Sequence, residues 1–227
     1  MKLHFLGTGA ADWDITHPQK DKNYRRFSSL LVDDCLLVDP GPCIFEFAQT
    51  YGYPHLFDNV KTVINTHPHG DHYNPQTVEK LGLPVTQVPY FETVETNTHI
   101  ITAYPANHAT SIDPRHFVIE SKQDGKRFFY GCDGAWMLYP TYRALRTQKF
   151  DLMIFDCTIG DVEGDFRIFE HNSIAMVQIM TQTYRKNCGR FMVSHMARTL
   201  HTDADTLEKR LAPLGIVPAY DDMIINL

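Results

Sequence analysis

Three histidines and an aspartate lie within six residues of one another, directly after an apolar stretch. They are His67, His69, Asp71 and His72, in the segment Asn65-Thr66-His67-Pro68-His69-Gly70-Asp71-His72. On a loop, alternate residues can turn towards one point, so His67 and His69 can share an ion while Asp71 and His72 face a second point. Imidazole and carboxylate ligands suit Zn²⁺, Mn²⁺ or Fe²⁺. The pattern predicts a metal site, and a polar loop without metal is the less favoured alternative.

This segment resembles the signature of the metallo-β-lactamase superfamily. The resemblance implies an α+β chain folded as a four-layer αββα sandwich, with a metal cleft at one edge of the sheets. It also implies three further ligands, for which His108, Asp133 and His195 are the candidates because each follows a predicted strand. In such relatives two divalent ions, Zn or Mn with Fe as an alternative, share the ligands: His67, His69 and His108 for one, Asp71, His72 and His195 for the other, and Asp133 between them.

Further features resemble the branch that contains phosphoribosyl 1,2-cyclic phosphate phosphodiesterases and ribonuclease Z. The chain opens with a strand leading to Gly7-Thr8-Gly9-Ala10, and Arg25-Arg26-Phe27-Ser28-Ser29 resembles the Arg-x-Ser-Ser strand of the cyclic phosphodiesterases. An acidic residue, a histidine that opens a helix and the last ligand follow in the order Asp156, His171 and His195. Flavo-diiron relatives carry Glu at position 69, and classical β-lactamases lack several of the ligands, so both activities are disfavoured.

The resemblance gives His171 a catalytic role. A histidine at this place in the family donates a proton to the leaving oxygen, and Asp156 would orient its ring. An alkoxide is a poor leaving group, and an imidazole that titrates near neutrality can protonate it as the bond breaks. The alternative for His171 is a residue that merely precedes a helix N-cap. Asp71 is expected to serve catalysis as well as metal binding.

We therefore expect a binuclear metal-dependent hydrolase, with a phosphodiesterase of small, cyclic phosphate esters as the first hypothesis. A metal-bridging hydroxide would attack phosphorus and His171 would act as the general acid. A carboxyl-ester, thioester or lactone hydrolase of the same fold is the first alternative, and a non-enzymatic, metal-binding relic is the second. Arg25, Arg26 and Arg198 are candidates for clamping a phosphate. Asp39 lies either behind the metals or simply in a turn.

Composition limits the partners. The formal charge of −6 gives no long-range attraction for nucleic acid or anionic membrane, and no long basic arm like that of ribonuclease Z is present. Residues 11–26 contain no cysteine, so the structural zinc site of several cyclic phosphodiesterases is not expected. A small-molecule phosphate ester is the expected partner, and a homodimer stays open.

The 227 residues suit one domain, residues 1–227, with an apolar content large enough for a core. Five scattered cysteines without a C-x-x-C pair favour reduced thiols over a disulfide framework. The N-terminal apolar stretch is too short for a signal peptide, and no apolar run approaches the ~20 residues of a membrane span. We therefore expect a cytoplasmic protein.

Short elements punctuated by Gly, Pro and Asp are expected along the chain. The predicted strands are 2–6, 28–32, 35–38, 61–65, 84–88, 99–103, 116–120, 127–130, 152–155, 191–193 and 223–225. The predicted helices are 44–51, 75–81, 173–184 and 203–211. Most candidate site residues come just after one of these strands, where a sandwich can present them along one edge.

Overall fold

The computed structural model describes residues 1–227 as two facing β-sheets with helices outside them. The strands are β1 (Lys2–Gly7), β2 (Ser29–Val32), β3 (Leu36–Val38), β4 (Thr62–Ile64), β5 (Thr93–Glu95), β6 (His99–Pro105), β7 (Arg115–Ser121), β8 (Arg127–Gly131), β9 (Leu152–Asp156), β10 (Phe191–Ser194), β11 (Ile216–Pro218) and β12 (Ile224–Asn226). The helices are α1 (Ile44–Tyr51), α2 (Pro75–Leu81), α3 (Tyr139–Leu145), α4 (Ile174–Tyr184) and α5 (Ala204–Leu211), with 3₁₀ turns at Phe166–Phe169 and Ala212–Leu214. None of the helices has the length and apolar character needed to cross a bilayer.

The two sheets have the strand orders β12-β1-β2-β3-β4 and β11-β10-β9-β8-β7-β6-β5. Alternation along each strand sends every second side chain to the opposite face. In β1, Leu3 and Phe5 enter the core between the sheets, whereas Leu6 packs outward against α1. The outer face of the second sheet likewise packs against helices, through residues such as Val177 of α4 and Leu211 of α5. The expected α+β, four-layer αββα sandwich is confirmed.

Parallel strands carry the site. In the first sheet β3 and β4 are parallel, and in the second β8, β9 and β10 are parallel. Strand β6 runs the same way as β8 because both are antiparallel to β7. The carboxyl ends of these strands meet at one edge, and the candidate site residues follow them: Asp39 after β3, His67, His69, Asp71 and His72 after β4, His108 after β6, Asp133 after β8, Asp156 at the end of β9 and His195 after β10.

Most predicted elements are present, but the strand expected at residues 84–88 is not. Only Val85 pairs there, in an isolated bridge to Val63, because Pro84 and Pro89 bracket the stretch and cannot donate to a ladder. The sequence did not indicate β5 or β11, which have three residues each, nor α3, whose second residue is Pro140. The last strand begins one residue later than expected.

Candidate metal centre

Four residues converge on the first ion position. The ligand atoms of His67, His69, His108 and Asp133 all lie within 4.8 Å of one another. The Nε2 atom of His67 lies 3.2 Å from Asp133 Oδ2, and His108 Nε2 lies 3.1 Å from His69 Nδ1. Two nitrogens bound to one zinc ion at about 2.1 Å in tetrahedral geometry are separated by about 3.4 Å. The spacing of this group therefore fits a divalent ion.

A second group shares Asp133 with the first. It consists of Asp71, His72, Asp133 and His195, again with ligand atoms within 4.8 Å of one another. His72 Nε2 lies 3.1 Å from His195 Nε2 and 3.3 Å from both Asp71 Oδ2 and Asp133 Oδ2. All four side chains are buried. The structure thus brings together all seven predicted ligands, and Asp133 occupies the bridging place.

Residues behind the ligands fix their orientation. Asp39 is fully buried, and its Oδ2 lies 2.9 Å from His72 Nδ1. Its Oδ1 accepts hydrogen bonds from the backbone and the hydroxyl of Thr66 at 2.7 and 2.9 Å. A carboxylate against the outer nitrogen of a metal-binding histidine fixes the tautomer and raises ligand basicity. Of the two alternatives for Asp39, the structure places it behind the metal group.

The backbone is strained at the site. Asp39, Asp133 and His195 have φ angles of 60°, 55° and 58°. Non-glycine residues seldom adopt this left-handed conformation, and such outliers concentrate at functional sites. Gly41 allows two backbone segments to approach closely at the site, since a Cβ atom there would lie 2.5 Å from the carbonyl oxygen of Asp71.

Beside the second group, Asp156 and Thr158 hold two histidines. His171 Nδ1 lies 3.1 Å from Asp156 Oδ2 and 3.1 Å from Asp133 Oδ1. His195 Nδ1 lies 3.2 Å from the same Asp156 oxygen, and the Thr158 hydroxyl lies 2.8 Å from Asp156 Oδ2 and from His195 Nδ1. Asp156 therefore contacts the predicted proton donor, as expected, and also a metal ligand. Thr158 was missed; it lies two residues after Asp156, in the turn that follows β9.

A third group of ligand atoms also lies within 4.8 Å of one another, and it consists of Asp133, Asp156, His171 and His195. A neutral imidazole offers one lone pair. His195 turns Nε2 towards Asp71 and Asp133, both at 3.5 Å, and Nδ1 towards Asp156, so it cannot serve both groups. His171 makes no hydrogen bond through Nε2, and it lines the cleft. We therefore assign His171 outside the two ligand groups.

Burial and charge act against each other at these residues. Burial alone would lower the pKa of His171, but the Asp156 and Asp133 carboxylates outweigh it and raise the pKa to about 11. The same contest raises the pKa of His195 to about 9. His67 is dominated by burial, which lowers its pKa to about 4. Despite their burial, the surrounding histidines hold the pKa of Asp133 and Asp71 well below the usual range. Buried carboxylates that stay ionised are neutralised either by protonated histidines beside them or by divalent cations.

A buried atom without a hydrogen-bond partner supports the binding of cations. His67 Nε2 is fully buried and makes no hydrogen bond. Leaving such an atom unsatisfied costs free energy, and it lies 3.2 Å from Asp133 Oδ2 in the first ligand group. With seven donors of the His and Asp type, the site fits two divalent metal ions.

The metal groups open into a cleft of about 220 Å³. Its lining includes four residues that the sequence did not single out for the site: Asp12, Thr110, Arg167 and Glu170. Arg167 is the one lysine or arginine in the lining, and its Nη2 donates to Asp165 Oδ2 at 2.7 Å. Nothing in the sequence spacing places the 3₁₀ turn that carries Arg167 over the cleft.

None of the three arginines considered for phosphate binding lines this cleft. Arg26 is fully buried, with Nη2 donating to Glu46 at 2.9 Å and its backbone N–H donating to Asp221 at 2.7 Å. Arg26 is therefore engaged elsewhere. Arg25 and Arg198 line a neighbouring cleft instead.

No family model matches this chain, and no curated protein matches it in a sequence search. Solved structures do match. Zinc-bound PqqB from Methylobacterium extorquens has a TM-score of 0.74 at 15% identity over 100% of both chains. A diphosphatase of the PhnP family has a TM-score of 0.73 at 16% identity, covering 100% of this chain and 97% of that one. The metallo-β-lactamase fold protein YhfI from Bacillus subtilis has a TM-score of 0.70 at 13% identity, covering 99% and 98%.

Proposed function

We propose, on the premise that this chain has the metallo-β-lactamase fold, that it is a two-metal hydrolase of small phosphodiesters, cyclic ones included. The observation that carries the proposal is the pair formed by His171 and Asp156 beside the shared ligand Asp133. A proton donor next to a two-metal centre is what cleavage of an ester with a poor leaving group requires. The small cleft supports a substrate of low molecular weight.

The ligand groups would hold the two ions, which when bound supply hydroxide at neutral pH and offset charge on phosphoryl oxygens. The remaining steps belong to the protein. Asp156 keeps the His171 ring in place through Nδ1, so that Nε2 can donate a proton to the departing oxygen. The carboxylates around Nδ1 favour the protonated form, which is the form that a general acid needs at the start of the reaction.

Phosphodiester cleavage is favoured over thioester cleavage by the same pair. A thioester expels a thiolate, which is a good leaving group, and gains little from a strong proton donor, whereas an alkyl phosphodiester expels an alkoxide and gains much. One of the similar structures is named a diphosphatase, in keeping with phosphate as the target. The neighbouring structures agree on the fold, and the geometry of His171 supports the proposed substrate class.

A substrate panel tests the proposal. Metal-loaded protein is assayed with cyclic and linear phosphodiesters, with lactones and with thioesters, and kcat/KM is compared. We expect phosphodiesters to be preferred. A preference for lactones or thioesters would overturn the phosphodiesterase assignment while keeping the hydrolase. Two bound metals without turnover of any ester would support a non-enzymatic role.

A further inference from the structure

Seven of the twelve exposed large apolar side chains lie on three connections at the edge that carries the metal groups. The connections follow β6, β8 and β9, and they supply His108, Asp133 and His171 to the metal cleft. Single exposed apolar residues are ordinary on a protein surface, whereas a concentration of them indicates a binding surface. We call this set the apolar rim, and its members are Ile112, Trp136, Tyr139, Val162, Phe166, Ile168 and Phe169.

Hydrogen bonds join the three connections to one another. The Thr110 hydroxyl donates to Glu170 Oε2 at 2.6 Å, and Asn172 Nδ2 donates to the Gly134 carbonyl at 2.7 Å. Ile112 is two residues from Thr110, a residue of the cleft lining, so their Cα atoms are at most about 7 Å apart. The apolar side chains are therefore carried by one connected frame beside the cleft.

The 3₁₀ turn Phe166–Phe169 brings apolar residues next to the cleft lining. Side chains three residues apart lie on the same face of a 3₁₀ helix. Arg167 and Glu170 line the metal cleft, so Phe166 and Phe169 share a neighbouring face, where they are 78% and 76% exposed. The Phe166 ring centroid lies 5.7 Å from Arg167 Cζ. The apolar surface thus begins directly beside a side chain of the cleft.

The metal cleft itself offers little apolar surface. Three of its fourteen lining residues are apolar, and all three are alanines: Ala10, Ala11 and Ala197. The remaining lining residues are polar or charged. A hydrocarbon group attached to a phosphate at the metals therefore finds its apolar surface outside the cleft, on the rim.

We propose that the apolar rim binds an extended hydrocarbon group of the substrate, attached to the phosphodiester at the metals. The inference rests on the proposed function and narrows its substrate class to phosphodiesters with such a group. Burial of apolar surface stabilises the complex in proportion to the area removed from water. Continuity with the cleft favours this occupant, since the turn that carries Phe166 and Phe169 also supplies Arg167 to the lining.

The test compares two substrates that differ only in the length of a hydrocarbon chain. They are methyl and hexyl 4-nitrophenyl phosphate, both of which release 4-nitrophenol, and both are used below micelle-forming concentrations. Burying one methylene group strengthens binding by about fourfold, so in metal-loaded wild-type protein we expect the hexyl ester to have a KM about tenfold lower. The double variant Phe166→Ser, Phe169→Ser should reduce this KM ratio to about twofold, because it removes the apolar surface next to the cleft.

The matched control is the double variant Phe91→Ser, Ile179→Ser. Phe91 and Ile179 are exposed to 51% and 53%, and neither belongs to the rim or to the cleft lining. The control should keep the tenfold ratio. Equal KM values for both esters in the wild type, or an unchanged ratio in the rim variant, would overturn the inference.

Sedimentation velocity at the assay concentration tests a second copy of the chain as the occupant. The wild type and the rim variant should have the same mass. A wild-type dimer that becomes monomeric in the rim variant would show that a second copy covers the rim, and would overturn the inference.

If neither ester is hydrolysed, the proposed function fails, and the rim is then judged by calorimetric binding of methyl and hexyl phosphate to metal-loaded protein. Tighter binding of hexyl phosphate by the wild type and the control variant, but not by the rim variant, would support the hydrocarbon site. Equal binding of the two phosphates by the wild type would overturn it.

Discussion

The two ends of the metal centre hold their histidines by different means. Next to the first sheet, the buried carboxylate of Asp39 contacts one histidine, His72, at 2.9 Å. Next to the second sheet, the buried carboxylate of Asp156 contacts two, His195 at 3.2 Å and His171 at 3.1 Å. The first end therefore orients only a candidate ligand, whereas the second contacts both a candidate ligand and the proposed proton donor.

This difference shows that the role of each histidine in the site depends on which of its ring nitrogens contacts a carboxylate. His72 and His195 turn Nε2 towards the shared carboxylate of Asp133 and keep Nδ1 for a supporting carboxylate. His171 places Nδ1 between two carboxylates and leaves Nε2 for the cleft. The candidate ligands His72 and His195 face Asp133 with Nε2, whereas the proposed acid His171 faces it with Nδ1 and keeps Nε2 free.

The largest expected effect comes from the residue that both ends share. Asp133→Asn removes the charge between the two ligand groups, so both ions should be lost and turnover should fall below detection. Metal content by mass spectrometry and phosphodiester hydrolysis check this. Asp58→Asn is the matched control, since Asp58 is an exposed aspartate that neither lines the cleft nor belongs to a ligand group. Two metals retained by Asp133→Asn would contradict the bridging role.

Next in size is His171→Ala. Loss of a general acid should slow hydrolysis of alkyl phosphodiesters by about 10²–10⁴-fold. Esters with a 4-nitrophenyl leaving group should lose much less, because nitrophenolate departs without a proton. The measurement is kcat for an alkyl and an aryl ester of the same phosphate. Equal losses on both would show that His171 acts on something other than the leaving oxygen.

A smaller effect separates the two supporting carboxylates. Asp39→Asn and Asp156→Asn should each weaken metal binding by about 10–100-fold. Only Asp156→Asn should also raise the sensitivity of kcat to the leaving group, because only Asp156 contacts His171. Metal titrations and the alkyl-to-aryl rate ratio are measured for both variants. A raised sensitivity in Asp39→Asn would remove the distinction between the two ends.

The smallest effect is on stability, and it comes from His116, a buried histidine without a carboxylate partner. Neither ring nitrogen of His116 has a hydrogen-bond partner, and burial lowers its pKa from 6.5 to about 4. The folded state favours the neutral ring, so its stabilisation is full above pH 6.5 and is lost as pH falls towards 4. The loss amounts to about 3 kcal/mol.

Urea unfolding of chelator-treated protein checks this value. Between pH 7 and pH 4 the free energy of unfolding should fall by about 3 kcal/mol less in His116→Leu than in the wild type. His55→Gln is the control, since that side chain is 83% exposed and should not alter the pH dependence. The same fall in His116→Leu as in the wild type would contradict the account.

The sequence predicted which seven residues meet at the site because the first four form one pattern in a loop, and the family resemblance supplied the order of the last three. His67 to His72 form a local pattern, and each later ligand follows a strand whose carboxyl end meets the same edge. The contacts of Thr158 and the place of Arg167 could not be predicted, because they depend on how loops from different strands close over the cleft. Arg25 and Arg26 are neighbours in the chain but face opposite ways along a strand-like segment, so spacing alone could not say that only Arg25 faces a cleft.

The central claim is that seven ligands hold two ions and that His171 is not one of the ligands. The most direct measurement is the metal content per chain of the wild type and of His171→Ala, determined by mass spectrometry after identical reconstitution. The account predicts about two ions in both proteins. Loss of one or both ions in His171→Ala, or a single ion in the wild type, would contradict it.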